Sequence, residues 1–318
     1  MTSMWDMRVI LAAITMAMGC GGGGGEGSRP LDGDFAEGGE PGQHRGVVTL
    51  DEYDWFAVEP YLGVIEIDLQ TGAKRRLLSG RFPSVHESGD VVFAQPCGDR
   101  VSRVGIQGGD GLIEIVTPCS SEIEAPGYSS PFFGIARLSP DREHVAAELL
   151  FYVDWDYDVA TVVYETGGDM VAWFDDLHSP TWTPDGRLVM AGEGLFIANR
   201  RLTEATSIDD GRLNAGVANP DVHPDGERVV FEYNQQIWEI GLDGSDLGER
   251  VFGSRRLRFP TWGPDGDTIV YLGVSQSDYY DQALYFTDLR REESTFLDLR
   301  PTLEYATSIV PNGPLTWQ

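Results

Sequence analysis

Short runs in which apolar and polar residues alternate recur along the chain and are separated by turn residues. Residues 65–70 read Ile-Glu-Ile-Asp-Leu-Gln, and residues 236–240 and 249–252 have the same strand-like character. A period of two places successive side chains on opposite faces of an extended backbone, so these runs predict short β-strands. The chain is therefore expected to be all-β.

A phrase of turn residues punctuates these strands at a fixed spacing. Residues 180–186 read Pro-Thr-Trp-Thr-Pro-Asp-Gly, residues 220–226 read Pro-Asp-Val-His-Pro-Asp-Gly, and residues 260–266 read Pro-Thr-Trp-Gly-Pro-Asp-Gly. The phrase returns every 40 residues, with its last Asp at 185, 225 and 265. Pro fixes φ, Asp can bond the following backbone and Gly accepts a positive φ, so each Pro-Asp-Gly predicts a tight turn between two strands.

Each repeat is predicted to contain four strands. After the turn at Asp225 and its flanking strands, a third strand is expected at 236–240, a turn at 243–244 and a fourth strand at 249–252. Four antiparallel strands in about 40 residues are typical of one blade of a β-propeller. Six blades are predicted, with starts near Pro83, Gly134, Pro180, Pro220, Pro260 and Thr307.

The first and last strands of the chain are predicted to share the sixth blade. Residues 65–72 match the third strand and turn at 238–244, and Arg-Phe-Pro follows at 81–83 as it does at 258–260. Residues 62–80 would thus be the two outer strands of a blade whose inner hairpin comes from residues 308–317. Such sharing closes the ring and limits open sheet edges.

The repeated phrase also resembles a known family. Trp-Thr-Pro-Asp-Gly at 182–186 and Trp-Gly-Pro-Asp-Gly at 262–266 resemble the W-S-P-D-G signature of TolB-type, WD-repeat-like propellers, with weaker copies at 138–141 and 85–89. The resemblance covers residues 62–318 and implies a TolB-like propeller fold. It does not extend to the separate N-terminal domain of TolB, so a Tol-Pal role is not implied.

The first 46 residues predict export and anchoring. Arg8 precedes an apolar run at 9–18, which has the length of a signal peptide and is too short to span a bilayer. Ala-Met-Gly-Cys at 17–20 resembles the lipobox of bacterial lipoproteins, which implies a signal at 1–19 and acylation of Cys20. An ordinary cleaved signal with an incidental cysteine is the alternative.

Residues 20–46 are rich in Gly and are expected to form a flexible tether, so that the propeller occupies residues 47–318. About 25 residues of such chain have a root-mean-square reach of roughly 25–30 Å. Gly21 rather than Asp after the cysteine implies, by the same resemblance, an outer-membrane lipoprotein of the bacterial cell envelope, facing the periplasm or the surface.

The net charge restricts the classes of partner, and the two remaining cysteines predict a covalent link. The formal net charge of −28 argues against a nucleic-acid partner and favours cationic partners or metal ions, although a solubilising surface charge is an equal alternative. Cys97 and Cys119 have no accompanying Cys or His at metal-ligand spacing, so outside the cytosol they predict a disulfide. If the strands of a blade are lettered a to d outwards, Cys97 is expected in a b–c loop and Cys119 in the next d–a connection.

The b–c loops and d–a connections share the face opposite the Pro-Asp-Gly turns, because neighbouring strands alternate in direction. The b–c loops are minimal in blades three and four, around 193–194 and 234–235. In blades two, five and six they are predicted to combine acids with aromatics, which suits cationic or carbohydrate-like ligands through charge, cation–π contact and stacking. Aromatics that merely cap blade ends beside solvated acids are the alternative. The candidate binding residues are Asp54, Trp55, Asp154, Trp155, Asp156, Tyr157, Asp158, Asp278, Tyr279, Tyr280 and Asp281.

Metal and catalytic signals are weak. Asp154, Asp156 and Asp158 offer oxygen ligands, but Val159 stands where an EF-hand needs Gly, so only a looser calcium site is a possible cofactor site. No G-x-S-x-G motif or hydrolase-sized region is present. The predicted function is a non-catalytic binding or scaffolding module for an envelope protein or glycan. The alternative is a carbohydrate- or peptide-active lyase or hydrolase with a site at the channel, where His178 would lie.

Overall fold

The computed structural model describes residues 45–54, 61–71, 73–98, 101–123, 129–153, 156–251, 255–274, 282–290, 293–298 and 315–318. Within these residues, strands pair into six four-stranded antiparallel sheets. Blade one contains β4 (Arg81–Val85), β5 (Val91–Gly98), β6 (Val101–Gln107) and β7 (Ile113–Ile115); blade two contains β8 (Ser129–Leu138), β9 (His144–Val153), β10 (Asp156–Glu165) and β11 (Met170–Asp175). Blade three contains β12 (His178–Trp182), β13 (Leu188–Ala191), β14 (Leu195–Ala198) and β15 (Ala205–Ser207); blade four contains β16 (Ala218–Val222), β17 (Arg228–Tyr233), β18 (Gln236–Gly241) and β19 (Gly248–Val251). Blade five contains β20 (Arg256–Trp262), β21 (Thr268–Val274), β22 (Gln282–Asp288) and β23 (Glu293–Asp298); blade six contains β24 (Thr316–Trp317), β1 (Val47–Asp54), β2 (Tyr61–Asp68) and β3 (Lys74–Leu78).

The inner strands form a closed ring. Each of β4, β8, β12, β16 and β20 contacts the next, and β24 contacts both β20 and β4. The predicted all-β, six-bladed propeller, closed by the two ends of the chain in one blade, is therefore confirmed.

The apolar core lies between neighbouring blades. Val104 and Ile106 of blade one pack with Phe133 and Phe151 of blade two, and all four are buried. An equivalent cluster joins blades five and six. Each blade therefore buries its faces on its neighbours, which is why a single 40-residue repeat is too small to be stable alone.

The C-terminus supplies one strand to blade six rather than the predicted hairpin. β24 pairs with β1 through Val48–Trp317 and Thr49–Thr316, so β1 is the second strand of the blade. The remainder of the predicted hairpin, residues 308–314, lies outside the described residues. β1 pairs with β2 along its whole length, which leaves one edge for the C-terminus. The acids of β1 obscured this strand in the sequence, although Val48, Thr49, Leu50 and Asp51 are all buried.

The Pro-Asp-Gly turns have the predicted chemistry. Gly186, Gly226 and Gly266 adopt φ values of 83°, 76° and 69°, and each amide closes the turn on the carbonyl three residues earlier. The Asp225 carboxylate accepts from the Glu227 amide at 2.8 Å. A positive φ is what requires Gly at this position.

The strand directions define two faces of the propeller. The a–b and c–d turns lie on one, which we call the turn face, and the b–c and d–a connections lie on the other, the loop face. The turn face also carries both described ends of the chain, because the Val47 amide donates to the Gln318 carbonyl, and Gln318 Nε2 donates to the His86 carbonyl in an a–b turn. Among the described residues, no helix has the length and apolar character needed to cross a membrane.

Candidate functional site

The predicted binding residues that the structure describes lie at the loop-face ends of strands in blades six and two. Asp54 ends β1, and Asp156 begins β10. The β21–β22 connection joins Val274 to Gln282 at the same end of blade five. Several of the predicted residues lie outside the described part of the chain: Trp55, Asp154, Trp155, Asp278, Tyr279, Tyr280 and Asp281.

The blade-two acids lie on a strand, not in the loop that the sequence suggested. Asp156 pairs with Val153 and Asp158 with Phe151, whereas the outer strand β11 reaches only to the Ala160–Asp175 pair. The β9–β10 hairpin thus extends beyond its outer neighbour, and Asp158 on it is exposed. Strand geometry places the Cα atoms of Asp156 and Asp158 about 7 Å apart, unlike the successive ligands of a calcium loop. Asp51 and Asp54 likewise belong to strand β1 and not to the segment between strands of blade six that the sequence suggested.

A charged side chain occupies the middle of the channel. Arg137 of β8 donates from Nη1 to Thr316 Oγ1 of β24 at 3.5 Å. Asp221 of β16 accepts from Thr261 Oγ1 at 2.8 Å and from the Trp262 amide at 2.9 Å. Burial raises the pKa of Asp221, and the charge of Arg137 opposes that rise. Burial likewise lowers the pKa of Arg137, and the charge of Asp221 opposes that shift, so each group favours the charged form of the other while burial outweighs both effects.

A small cavity lies among the inner strands. It is lined in part by Arg137 and has a volume of about 10 Å³. That is room for about one water and none for a sugar or a peptide. Its lining residues are Ile135, Arg137, Ser179, Pro180, Asn219, Pro220, Phe259 and Pro260.

The inner strands share a β-bulge just before a proline. Phe82, Ser179, Asn219 and Phe259 have φ values of 50°, 50°, 50° and 52°, and each precedes the proline of its repeat. A left-handed φ at a non-Gly residue costs of order 1–3 kcal/mol. The register shifts at the same place in each of these strands. A bulge leaves one backbone amide without a partner in the hydrogen-bond ladder between the two strands, so that a neighbouring acceptor can bind this amide.

Three carboxylates lie at equivalent positions of the second strands. In blade six, Asp51 lies two residues after the strand partner of Thr316. In blade two, Glu148 lies two residues after the partner of Arg137, and in blade four Glu232 lies two residues after the partner of Asp221. All three accept hydrogen bonds near the bulges: Asp51 from the Phe82 amide at 3.4 Å, Glu148 from the Ile135 amide at 3.4 Å, and Glu232 from Asn219 Nδ2 at 3.0 Å.

Three basic residues lie in the alternate blades. Arg81, His178 and Arg258 each stand two residues before the proline of blades one, three and five. Arg258 Nε lies 3.8 Å from Glu232 Oε1, across the blade boundary. The guanidinium groups of Arg81 and Arg258 lie 4.6 and 4.7 Å from the ring centres of the neighbouring Phe82 and Phe259, in cation–π geometry.

Acids and bases therefore alternate around the loop-face end of the channel. We call the set the channel-mouth ring: Asp51, Arg81, Glu148, His178, Glu232 and Arg258. Burial raises the pKa of Glu148 to about 7 and lowers the pKa of His178 to about 4, so both groups favour their uncharged forms. Burial also raises the pKa of Glu232, against the charge of Arg258. Perturbed titrating groups of this kind are typical of functional sites, although structural networks produce them too.

Of this ring, sequence reasoning named His178 as a possible catalytic residue and Asp51 as one acid of the predicted blade-six segment. The members of the ring are scattered over more than 200 residues and form no local motif, so spacing along the chain cannot reveal them. One signal was available, because Arg81, His178 and Arg258 occupy the same place before the repeated proline. Alignment of the repeats by that proline would have placed three bases on one end of the channel.

The loop face is also braced covalently near blade one. A disulfide joins Cys97 and Cys119, whose Cα atoms are 6.0 Å apart. Cys97 lies in strand β5 and not in a loop as expected, while Cys119 precedes a short 3-10 helix, Ser120–Glu122, in the connection to blade two.

Within the described part of the chain, one cluster of possible metal ligands is found, and it lies on the turn face. Asp141, Glu143 and His144 bring ligand atoms within 4.8 Å of one another, and the two acids are exposed. Asp141 Oδ1 already accepts from Ser139 Oγ and from the Glu143 amide, so this carboxylate holds the a–b turn of blade two.

Ring closure and blade architecture define the fold of the described residues as a six-bladed β-propeller. No protein-family model matches the chain, and no curated protein matches it. Its fold is similar to that of TolB from Acinetobacter baumannii, with a TM-score of 0.61 and 10% identity over 86% of this chain and 66% of that one. A putative TolB from Agrobacterium tumefaciens gives a TM-score of 0.54 and 14% identity over 86% of this chain and 99% of that one.

The same fold occurs in proteins of other kinds. Hydrazine synthase from Kuenenia stuttgartiensis gives a TM-score of 0.55 and 12% identity over 86% of this chain and 48% of that one. Identities this low establish the common fold alone, because one fold supports many unrelated functions.

Proposed function

We propose that this protein is an envelope lipoprotein whose propeller is a non-catalytic binding or scaffolding module for a protein or glycan partner. The observation that carries the proposal is the small size of the cavity that Arg137 and other described residues of the inner strands line, about 10 Å³. A sugar or a peptide does not fit into this cavity, so we assign recognition to the surface of the propeller.

The loop face is the surface we assign to the partner. The β1–β2, β9–β10 and β21–β22 connections all lie at this end of their blades, and each of them, taken with the strand ends beside it, carries acid and aromatic residues. Exposed Asp158 on the extended β9–β10 hairpin supports a contact at this edge. Tyr and Trp beside acids suit a cationic protein surface or a glycan.

The test is partner capture from detergent-solubilised envelopes by the lipidated protein. A loop-face variant carries Asp154→Asn, Trp155→Ala, Asp156→Asn, Tyr157→Ala and Asp158→Asn. A blade-five variant carries Asp278→Asn, Tyr279→Ala, Tyr280→Ala and Asp281→Asn. The matched control neutralises exposed acids of the turn face with Glu143→Gln, Glu227→Gln and Asp246→Asn.

The expected result is a specific partner that the wild type and the turn-face control capture and that the two loop-face variants lose. Equal capture by all four proteins would remove the loop face from the proposal. A calcium titration by calorimetry on the same blade-two variant tests whether Asp154, Asp156 and Asp158 bind an ion.

Attachment to the membrane is the second part of the proposal and rests on the lipobox-like residues before Cys20. More than one acyl chain gives stable anchoring. Wild-type protein is expected to incorporate a labelled fatty acid and to float with membranes, whereas Cys20→Ala is expected to do neither. A Cys20→Ala protein that incorporates the label as the wild type does would contradict this assignment.

A carbohydrate- or peptide-active enzyme is the second candidate, because the channel-mouth ring combines three carboxylates with two arginines and a histidine. Glu148, with its pKa near 7, is the group best suited to proton transfer. If the protein is an enzyme, turnover of envelope glycans or peptides will be lost in Glu148→Gln and kept in the turn-face control. Absence of turnover by the wild type across both substrate classes would favour the binding module.

A further inference from the structure

Five large apolar side chains are exposed on the outer strands of blades one and two. Leu112 and Met170 are 72% and 51% accessible. Leu112 lies in the β6–β7 turn beside Ile113 and Ile115 of β7, and Met170 begins β11 next to Val171. The two strands belong to adjacent blades. A Cβ placed on Gly168 in the β10–β11 turn would lie 3.5 Å from the Val116 carbonyl, just after β7. We call these five residues the apolar rim.

The apolar rim lies at the same end of the molecule as the start of the described chain. The β6–β7 and β10–β11 connections are c–d turns and therefore belong to the turn face. Arg45 and Gly46 lead into β1 from that face, where the Trp317 indole donates to the Arg45 carbonyl at 3.0 Å and the Leu69 amide donates to the Gly46 carbonyl. Blade six, which receives this end of the chain, is the direct neighbour of blade one.

We propose that the apolar rim rests on the surface of the lipid bilayer to which the chain is anchored, so that the turn face is towards the membrane and the loop face is away from it. This inference rests on the proposed acylation of Cys20. The two features are independent, since the rim is read from the exposure of folded residues and the anchor from the N-terminal sequence.

The length of chain before Arg45 favours a membrane as the occupant of the rim. A Gly-rich tether of about 25 residues, as the sequence predicts after Cys20, would have a root-mean-square reach of roughly 25–30 Å and would keep the turn face within contact distance of the bilayer. A second copy of the chain is disfavoured because each copy carries a net charge of −28. Exposed apolar side chains that lie at a lipid interface are removed from water.

The charges beside the rim specify the kind of lipid. Asp110, Glu114 and Asp169 are exposed next to the five apolar residues. Anionic headgroups would repel these carboxylates, so the rim is suited to a zwitterionic lipid surface.

The experiment places an environment-sensitive fluorophore on the rim of the full-length, lipidated protein in vesicles. Leu112→Cys provides the labelling site, because Cys97 and Cys119 are bonded to each other and Cys20 is acylated in the proposed form. The control label is at Glu193→Cys, an exposed position in the b–c connection of blade three on the loop face. Flotation of the same samples measures anchoring separately.

In phosphatidylcholine vesicles, the label at position 112 is expected to emit at shorter wavelength and higher intensity, while the label at position 193 keeps its emission in water. The shift is expected to be smaller in phosphatidylglycerol vesicles and to be lost when Met170→Asp and Val171→Asp are added. Protein that floats with both labels emitting as in water would overturn the proposed orientation and leave the anchor intact. Protein that does not float would overturn the anchor and this inference with it. A shift in the emission of the label at position 112 that depends on the protein-to-lipid ratio would indicate that the rim contacts a second copy of the chain.

Discussion

At the scale of single residues, burial decides the protonation of the channel-mouth ring. Glu148 and His178 lie where solvation of a charge is weak, so the pKa of the acid rises to about 7 and that of the base falls to about 4. Neither group meets an opposite charge that fully reverses this effect. The ring therefore contains two titrating groups whose charge state differs between the folded and unfolded chain.

Glu148 should make stability depend on pH. Its pKa is raised from 4.5 to about 7 on folding, so the stability of the protonated form is fully present below pH 4.5 and is lost as the pH rises through 7. Relative to Glu148→Gln, the wild type is expected to lose about 3 kcal/mol of unfolding free energy between pH 4 and pH 8. Urea unfolding of both proteins across this range measures the difference.

His178 acts in the other direction, because its lowered pKa removes stability as the pH falls from 6.5 towards 4. It is present in both proteins, so its contribution cancels in the comparison. The exposed Glu143→Gln is the matched control and should follow the wild type. A constant difference between wild type and Glu148→Gln at every pH would mean that Glu148 ionises as easily in the fold as in the unfolded chain.

At the scale of elements, alternation and turn chemistry predicted most strands but not their limits. The short b–c connections of blades three and four follow from their sequence, and Asn234 and Gln235 take φ values of 50° and 66° in one of them. The β9–β10 hairpin was misplaced because Asp156 and Asp158, which disfavour strands by propensity, remain paired with Val153 and Phe151. Tertiary pairing overrides such preferences wherever the partner strand continues.

The disulfide is the element-scale brace whose effect can be measured. It links the second strand of blade one to the connection that enters blade two, and it closes a loop over a separation of 22 residues. Loss of a bridge over a loop of this size is expected to cost about 3 kcal/mol, mainly through a freer unfolded state. The double variant Cys97→Ser with Cys119→Ser, followed by urea denaturation, tests this value.

Reduction of the wild type with dithiothreitol provides the control for that variant. The reduced wild type should unfold at the same urea concentration as the double variant, and the double variant should not respond to the reductant. A double variant as stable as the oxidised wild type would show that the disulfide contributes nothing to the free energy of unfolding.

At the scale of the whole molecule, closure of the ring depends on two residues at the end of the chain. The sequence predicted that the ends share a blade, because Arg-Phe-Pro recurs at 81–83 and 258–260. It could not predict that β24 is a single strand of two residues, since nothing local distinguishes an inner hairpin from one strand beside β1. The division between β24 and β1 is decided by pairing over more than 260 residues of sequence.

Trp317 is therefore expected to be the residue on which closure depends most. It is buried, its ring meets Phe286 of blade five edge-on at 5.5 Å, and its indole nitrogen donates to the Arg45 carbonyl at 3.0 Å. Trp317→Ala should cost about 3–5 kcal/mol of unfolding free energy. The neighbour Gln318 is exposed and its Nε2 donates to the His86 carbonyl, so Gln318→Ala should cost only about 0.5–1.5 kcal/mol.

The same pair of variants distinguishes two ways in which a propeller can stay closed. If the paired strands of blade six hold the ring, Trp317→Ala will also speed amide hydrogen exchange in β1, because the inner edge of β1 pairs with β24. Exchange in β12 and β13, on the far side of the ring, will rise only later. If packing between blades holds the ring without the pairing of the terminal strand, Trp317→Ala will still unfold at a lower urea concentration than Gln318→Ala, because Trp317 packs on Phe286 of blade five, but protection in β1 will be unchanged. The role of the shared blade would then be to keep an open sheet edge from pairing with other chains, and not to hold the ring closed.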